Sequence, residues 1–404
     1  MSAPAVQEFI KNTNETFDLL LMEHGVRPML VFSHLFNVPV IQISSFGAVV
    51  GMNEFIGSST HPLIYPMVFQ RHQYNYTLWE KINALYIDYY YVKTIQEHAE
   101  KETAMIRKIF GEDTPSILEL QNNVAMLFLN VHPIWEENRP VPPNVIYLGG
   151  IHQSPEKELP KDLKSYLDSS THGVIYFSFG TSVTPSAMPP ETVRVYLNTF
   201  SKLPYDIIWK YDKDKLPGKP DNVRIEKWVP QSDLLRHPKV KLFITQAGLQ
   251  STDEAITAGV PMIAIPMLGD QWYNAEHYVH HRIGVRLDSK TITEESFMNA
   301  IKTVINDESY RQNIKKLRAV MNDQPERPLE RAVWWTEHVL RHGGASHLRS
   351  PAMNMTLAQY YDIQLVLILL TCLLAAVLFI VYVTYCLWRC IRPSFIHNAK
   401  VKNS

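Results

Sequence analysis

The sequence predicts an α/β protein with parallel sheets, followed by one helix that crosses a membrane. Along residues 17–325, short apolar runs alternate with stretches of helical periodicity, which is the pattern of parallel strands covered by helices. Near the end, the 26 residues Ile363–Trp388 include no Asp, Glu, Lys or Arg. At about 1.5 Å per residue, such a helix is long enough to cross a hydrocarbon core of roughly 30 Å.

Composition excludes several classes of protein. The chain has 404 residues, room for two domains, and its 39 Lys+Arg against 40 Asp+Glu exclude nucleic-acid binding by bulk charge. A hydrophobic fraction of 46% excludes a disordered chain. The three cysteines, Cys372, Cys386 and Cys390, all lie at the C-terminal end, so the body has neither disulfides nor a cysteine metal site.

In the first half, the patterns predict three strands and two helical stretches before a polar linker. The aromatic run Tyr86–Tyr91 is predicted to pack in the core rather than to line an acceptor pocket. The domain boundary is placed in the linker, which is rich in Lys, Glu and Pro. In chain order, the predicted elements are strand 17–22, helix 26–36, strand 39–43, a helix or helix pair over 79–110, strand 124–131 and linker 154–163.

The second half shows a more regular βα alternation, typical of an open parallel sheet. In such sheets, ligands bind beyond the carboxyl ends of the strands, so the loops that follow the strands are the candidate binding segments. The predicted strands are 173–178, 206–210, 223–226, 241–245, 262–265 and 284–287.

One of these loops has the residues of an anion site. Phe243–Glu254 reads as a strand, a tight turn at Gly248 and the first turn of a helix, where free N–H groups and the positive helix end suit a diphosphate. Ser251 can add a hydroxyl donor. Glu254 can accept hydrogen bonds from two vicinal hydroxyls, such as those of a ribose. A glycine turn that opens a helix is by itself common and usually structural.

Residues after neighbouring strands strengthen the binding hypothesis. Asp270 and Gln271 follow the next strand and offer an acceptor and an amide for sugar hydroxyls. Trp228, at the end of an earlier strand, offers a flat face on which a base can stack, and Gln231 follows it closely.

These residues carry a family resemblance. The 29 residues Phe243–Gln271 resemble, without a break, the signature of the UDP-glycosyltransferase family, and Trp228 stands where its uracil-binding motif begins. Tyr176–Ser182 resembles the loop after the first strand of the donor domain, and segments within 323–349 resemble the helices that cross back before the membrane anchor. The resemblance implies a GT-B architecture, in which two Rossmann-like domains face each other across a cleft.

The resemblance also implies a role for each matching residue. Trp228 stacks on the uracil, Gln231 bonds near it and Glu254 binds the ribose diol. Gln246 stands where many members have His, in a run similar to arthropod members that mostly use UDP-glucose. No metal or cofactor is implied, since the UDP-sugar is a co-substrate. The remaining donor-binding residues are Gly180 in the donor-domain loop, Ser182, Gln246, Gly248 and Ser251 along the diphosphate, and Asp270 and Gln271 at the sugar.

The catalytic residues are matched only in part. The family uses a His base that an acidic residue orients, and Glu23 aligns with the acidic position, where Asp is commoner. No residue matches the base, and His24 and His34 lie outside the motif. We therefore expect a chain that lacks an N-terminal part, with an apolar sheet edge exposed.

The implied domains follow the chain in order. They are 1–150 (acceptor domain, incomplete), 151–172 (linker), 173–325 (donor domain), 326–350 (return helices), 363–388 (membrane span) and 389–404 (tail).

Charges beside the span predict its orientation. Arg389, Arg392, Lys400 and Lys402 follow it, so the positive-inside rule places the tail in the cytoplasm and the body in the lumen. Lysines third and fifth from the end resemble an endoplasmic-reticulum return signal, although a plain basic tail is equally compatible. Residues 1–10 lack the features of a signal peptide, which a lumenal body needs. The favoured explanation is that the natural beginning of the chain is missing. A tail anchor with a cytosolic body is the less favoured one. Sequons at Asn14, Asn75 and Asn354 agree with a lumenal body.

The prediction is thus an enzyme that transfers a sugar, favoured to be glucose, with inversion onto small lipophilic acceptors, as in detoxification. The alternative is an inactive form that binds UDP-sugar or pairs with full-length relatives as an oligomer. A nicotinamide enzyme is excluded because no Gly-x-Gly-x-x-Gly follows a predicted strand. His277 and His281 have a zinc-binding spacing, but a solvated helix face is the favoured interpretation.

Overall fold

The computed structural model describes residue 8 and residues 15–47, 56–57, 61–71, 73–353 and 355–401. The predicted sequons at Asn14 and Asn354, and the basic residue Lys402, fall outside the described residues. The chain divides into two compact units, Met1–Ser350 and Pro351–Ser404.

The first unit contains two parallel sheets, as the alternation of apolar runs predicts. The smaller sheet has four strands in chain order, and within the described residues β1 is an edge strand on which Leu21 is exposed. The sequence patterns miss its last strand, which has only three residues. The strands are β1 Leu20–Glu23, β2 Val40–Ser44, β3 Val124–Leu129 and β4 Val145–Tyr147.

The larger sheet has six parallel strands in the order β10-β9-β8-β5-β6-β7. Its central strands β5 and β8 read as continuous apolar runs because helices cover both faces. Each predicted strand is present, within one residue at either end. The strands are β5 Val174–Ser178, β6 Asp206–Lys210, β7 Val223–Glu226, β8 Val240–Thr245, β9 Met262–Ala264 and β10 Gly284–Arg286.

Helices connect the strands and cover the sheets. The predicted helix over 26–36 divides into a 3-10 turn, Arg27–Leu30, and α1, whereas the stretch over 79–110 is one continuous helix, α2. The helices of the first unit are α1 Val31–Phe36, α2 Leu78–Phe110, α3 Ile117–Leu120, α4 Lys161–Ser169, α5 Pro190–Phe200, α6 Gln231–Arg236, α7 Leu249–Ala258, α8 Gln271–His280, α9 Glu294–Asn306, α10 Glu308–Asn322 and α11 Pro328–His342.

Of the two hydrophobic cores that flank the large sheet, one also contains residues of the small sheet. Alternate residues of β5 point to opposite faces, so Ile175 and Phe177 join a core under α5 and α9, while Val174 and Tyr176 join a second core. That second core also contains Leu129 and neighbouring residues of the small sheet. The two sheets are therefore held against each other by buried apolar contacts.

Two interpretations of the sequence are wrong. The aromatic run does not lie in the core, because Tyr86, Tyr89 and Tyr90 are each more than half exposed on α2. The α8 histidines are not a solvated face, because His277 is fully buried and stacks on Trp135 at 4.7 Å between ring centroids. Helical periodicity reports amphipathicity, but the tertiary neighbours decide which side is covered.

The second unit consists of two helices, α12 Leu357–Tyr360 and α13 Ile363–Val401. Within α13, the 28 residues Ile363–Cys390 are long and apolar enough to cross a membrane. This segment contains the predicted span 363–388.

Candidate UDP-sugar site

A cavity of about 550 Å³ lies at the carboxyl edge of the large sheet. Phe46 and Phe69 line it from the side of the small sheet, and the segment after β4 contributes His152. The structure brings all ten predicted donor-binding residues to this one cavity, although they come from the segments after four different strands. They are Gly180, Ser182, Trp228, Gln231, Gln246, Gly248, Ser251, Glu254, Asp270 and Gln271.

The turn between β8 and α7 presents the start of a helix to the cavity. Gly248 is the N-cap of α7 and provides no capping side chain. Just before it, the buried Ala247 has φ 68°, a left-handed conformation that is costly for a residue with a Cβ. Such strain is typical of functional turns. N–H groups of the first helical turn and the positive helix end can together bind an anion.

Gly180 and Gln246 meet at the floor of the cavity. Gly180 has φ 67°, and a Cβ at this position would lie 2.3 Å from Nε2 of Gln246. The carboxamide of Gln246 therefore occupies the space that a larger residue would fill. The N–H of Gly180 donates to the hydroxyl of Ser178 at 3.2 Å, which fixes the loop after β5.

A hydrogen-bond network orients the predicted ribose-binding carboxylate. Nε2 of Gln231 donates to Oε2 of Glu254 at 2.7 Å and to the hydroxyl of Ser251 at 2.9 Å. The hydroxyl of Tyr176 in turn donates to Oε1 of Gln231 at 3.2 Å. Burial raises the pKa of Glu254 above its ordinary value, and the hydrogen bond from Gln231 opposes that rise. The network holds one carboxylate and one hydroxyl at fixed positions beside the helix start.

Trp228 is the exposed wall of the cavity, with 70% of its surface accessible. Nζ of Lys210, at the end of β6, lies 4.6 Å from the centroid of its ring. The same ammonium donates to the carbonyl oxygen of Gly180 at 3.0 Å. Partial burial lowers the pKa of Lys210. A cation therefore links the indole face to the loop of Gly180, both of which line the cavity.

Asp270 and Gln271 are held by their neighbours. Nδ2 of Asn274 donates to Oδ2 of Asp270 at 2.8 Å, and Oδ1 of Asn274 accepts from Nε1 of Trp135 at 2.8 Å. Burial raises the pKa of Asp270. Oε1 of Gln271 accepts from the N–H groups of Met267 and Leu268, so its NH2 group is the part that a ligand hydroxyl can engage.

Glu23 does not line the cavity but lies two hydrogen bonds from it. It ends β1, and its carboxylate accepts from the N–H and the hydroxyl of Ser45, both at 3.4 Å. The carbonyl oxygen of Ser45 accepts from Nε2 of Gln250, in the first turn of α7, at 2.6 Å. His24 bonds Gln42 through Nδ1 at 3.0 Å.

Three further residues of this region were missed by the sequence analysis: Lys210, Gln250 and Asn274. Lys210 stands at the carboxyl end of a predicted strand, so the rule applied to the other loops could have found it. Gln250 and Asn274 act through residues far away in the sequence, a relation that no local pattern reveals.

The surroundings of His277 and His281 disfavour the charged form of both rings. Burial lowers the pKa of His277 well below its ordinary range and that of His281 to about 4. Among the described residues, no group of three His, Cys, Asp or Glu side chains could hold a metal ion.

Comparison with known proteins agrees with this geometry. The family model described as UDP-glucoronosyl and UDP-glucosyl transferase matches residues 6–395. An ecdysteroid UDP-glucosyltransferase of Spodoptera littoralis nuclear polyhedrosis virus is 40% identical, over 88% of this chain and 71% of its own. The UDP-glucuronosyltransferase 2B10 of Homo sapiens is 35% identical, over 95% of this chain and 73% of its own.

Solved structures share the fold at low sequence identity. A UDP-glucose:anthocyanidin 3-O-glucosyltransferase solved with UDP superposes with a TM-score of 0.56 and 18% identity, over 82% of this chain and 77% of that one. The glycotransferase of kitacinnamycin superposes with a TM-score of 0.57 and 18% identity, over 83% and 78%. The architecture is therefore that of GT-B glycosyltransferases.

Proposed function

This chain belongs to the UDP-glucoronosyl and UDP-glucosyl transferase family, and we propose that it transfers glucose from UDP-glucose to a hydroxyl of a small lipophilic acceptor. UDP-sugar glycosyl transfer is the activity of the family. The choice of glucose, the acceptor class and a role in detoxification are the finer parts of the proposal. The observation that carries it is the single cavity lined by all ten residues that the family resemblance assigns to the donor.

Each part of the donor has a matching group in the cavity. The exposed face of Trp228 suits the uracil, and the carboxylate of Glu254 can accept from both ribose hydroxyls. The N-terminal end of α7 and the hydroxyl of Ser251 suit the diphosphate. Asp270 and the NH2 group of Gln271 remain for the sugar hydroxyls.

The transfer would proceed by direct displacement. The acceptor oxygen forms a bond to the anomeric carbon on the face opposite UDP, the bond from that carbon to the diphosphate oxygen breaks, and the acceptor proton passes to a base. Donors fixed around the diphosphate stabilise the charge that develops on UDP as it leaves. Glu23 is proposed as the acidic residue that orients the base, since its carboxylate is connected through Ser45 to α7.

We also propose that the apolar segment of α13 anchors the protein in the endoplasmic-reticulum membrane, with the body in the lumen. Its length and composition permit a span, and basic residues follow it in the sequence. An anchored enzyme would meet lipophilic acceptors at the membrane, where they concentrate.

The test uses the full chain in detergent micelles. Calorimetry measures binding of UDP-glucose and of UDP-glucuronic acid, and UDP release is followed with a small phenol as acceptor. We expect UDP-glucose to bind more tightly than UDP-glucuronic acid, and Glu254→Ala to weaken both. Trp334→Ala, a half-exposed tryptophan on α11, is the matched control.

The outcomes separate the parts of the proposal. Tighter binding of UDP-glucuronic acid would overturn the choice of glucose. Donor binding without UDP release would favour the alternative, a binding protein without turnover. A folded chain that binds neither donor would contradict the assignment of the cavity.

A further inference from the structure

Helix α2 changes character halfway along its 33 residues. In its second half, Ala99 and Ile106 are buried against the small-sheet core, while Glu97, Glu100 and Lys101 face solvent. This is the ordinary arrangement of a surface helix. In its first half, most of the large apolar side chains lie on the exposed side.

The exposed side of the first half is apolar and aromatic. Seven large side chains, each between 44% and 78% exposed, occupy positions that fall within an arc of about 140° at 100° per residue. We call this set the aromatic stripe. Its members are Leu78, Trp79, Ile82, Leu85, Tyr86, Tyr89 and Tyr90.

The side of the same segment that faces the protein is mixed, with the half-buried Ile87 and the 38%-exposed Tyr91 beside small and polar residues. Ala84 is its buried residue, and Asp88 is half-buried and within the electrostatic influence of His61 and Arg139. Burial raises the pKa of Asp88. A carboxyl therefore points inward while leucine, tryptophan and tyrosine point outward. Among the described residues nothing covers the exposed rings, so the stripe suits an apolar contact beyond them.

The aromatic stripe is too large to be incidental. At ~150–250 Å² per ring, the four aromatic side chains at 56–78% exposure present roughly 400–650 Å². The aliphatic members add to that area. Contiguous apolar patches on soluble monomers rarely exceed a few hundred Å² unless they bind something.

We propose that the aromatic stripe lies in the interfacial region of a lipid bilayer, as a second membrane contact besides the α13 span. The inference rests on the proposed membrane anchor, which would keep the folded body beside a bilayer. It goes beyond the anchor because it assigns a membrane contact to the body itself.

The composition of the stripe matches this occupant better than a second copy of the chain. Tryptophan and tyrosine combine an apolar ring with a polar tip and are enriched where hydrocarbon meets water. From Leu78 to Tyr90 the stripe includes no charged side chain, whereas a protein partner is usually selected by charges at the rim of the contact. The same chain contains a segment that can span a membrane, so a bilayer is an apolar phase that the stripe is expected to meet.

Site-directed fluorescence in vesicles tests this inference on the full chain. For the stripe variants, all three native cysteines, Cys372, Cys386 and Cys390, are changed to serine. A single label is then attached at Tyr86→Cys or at Tyr89→Cys. Matched controls carry the label at Glu97→Cys or Lys101→Cys, which are exposed on the charged half of the same helix. A chain that keeps only Cys372 reports on the span.

Phosphatidylcholine vesicles carry a nitroxide quencher on the lipid, and iodide serves as the aqueous quencher. For a helix about 5–10 Å below the headgroups, we expect the stripe labels to be quenched several-fold more by the lipid than the control labels. Iodide should quench them less than the controls.

Each other result overturns the inference in a distinct way. Stripe labels that iodide quenches as fully as the controls would place the stripe in water. Labels shielded from both quenchers would indicate a protein partner, such as a second copy. If the Cys372 label is not quenched by the lipid, the proposed anchor itself fails, and the inference fails with it.

A second measurement avoids introduced cysteines. Brominated lipids quench tryptophan fluorescence, and Trp79→Phe should remove part of that quenching, whereas Trp334→Phe on α11 should not. Equal loss in both variants, or none in either, would contradict the inference.

Discussion

Replacing Trp228 by alanine tests the donor site more cleanly than any other substitution. The indole is 70% exposed and its nearest charged group is Nζ of Lys210, 4.6 Å from the ring centroid. Because so little of the side chain is buried, its removal should change the free energy of unfolding by no more than about 0.5 kcal/mol. Any large effect on ligand binding then reports the loss of a contact and not the loss of the fold.

The expected effect on binding follows from base stacking. A base stacked on an aromatic side chain contributes about 1–3 kcal/mol, and 1.4 kcal/mol corresponds to a factor of ten. Trp228→Ala should therefore weaken UDP binding roughly 5- to 150-fold. The same factor should apply to UDP-glucose, because the ring would contact the base and not the sugar. Trp228→Phe retains a stacking face and should recover much of the affinity.

Calorimetric titration of UDP and UDP-glucose into the detergent-solubilised chain measures both factors. Trp334→Ala, on the half-exposed α11 position, controls for general loss of an exposed tryptophan. Unchanged affinity in Trp228→Ala, with wild-type binding intact, would refute the assignment of the uracil face. A loss for UDP-glucose but not for UDP would place the sugar, instead of the base, against the indole.

Three further predictions concern the site and the fold. Glu254→Gln should weaken UDP binding and flatten its pH dependence. Because burial raises the pKa of Glu254, the wild-type carboxylate takes up a proton at a higher pH than an exposed glutamate does, and affinity should fall as the pH is lowered. A Glu254→Gln chain with the wild-type pH profile would contradict this. Gly180→Ala and Gly343→Ala should each destabilise the fold by about 1–2 kcal/mol, since both glycines have a positive φ. Only Gly180→Ala should also weaken UDP binding, because its Cβ would displace Gln246, whereas a Cβ at Gly343 would have nothing within 4 Å. Equal UDP affinity in the two variants would argue against a role of Gln246. Finally, the thermal midpoint should fall as pH is lowered from about 6.5 towards 4, because burial lowers the pKa of His132 and of His281 to about 4 and that of His277 further. In this pH range the unfolded chain binds more protons than the folded chain, so the free energy of unfolding falls by at most about 1.4 kcal/mol per pH unit for each histidine. His277→Gln should reduce this slope. A midpoint independent of pH would contradict the burial of these rings.

The large sheet and its loops could be predicted from the sequence because their signals are local. Buried parallel strands read as apolar runs, and the carboxyl ends of such strands lie at one edge, so residues as distant as Gly180 and Gln271 could be assigned to one site. The short β4 was missed because three residues carry little pattern. The sequence does not show that Gly180 leaves room for the side chain of Gln246, because that contact depends on the folded structure.

The errors have a common physical origin. For α2 and α8, the sequence shows two faces, but the identity of the covered face depends on what packs there. Trp135 covers His277 on α8, so one imidazole lies in the core. On α2, no described element covers Tyr86 or Tyr89, so rings that composition assigns to a core lie outside it. Burial is a tertiary property, and a single helix does not encode it.

The donor cavity is a property of both sheets and not of the larger one alone. Asn274 holds Asp270 at one side and accepts from Trp135, which follows β3 of the small sheet. Gln250 holds the carbonyl of Ser45, which follows β2 and bonds Glu23. The first link connects Asp270, predicted to contact the sugar, with the small-sheet side, and the second connects the start of α7 with Glu23, the predicted partner of the base. A relative movement of the two sheets would strain both links, so the positions of Asp270 and Glu23 both depend on hydrogen bonds between the sheets.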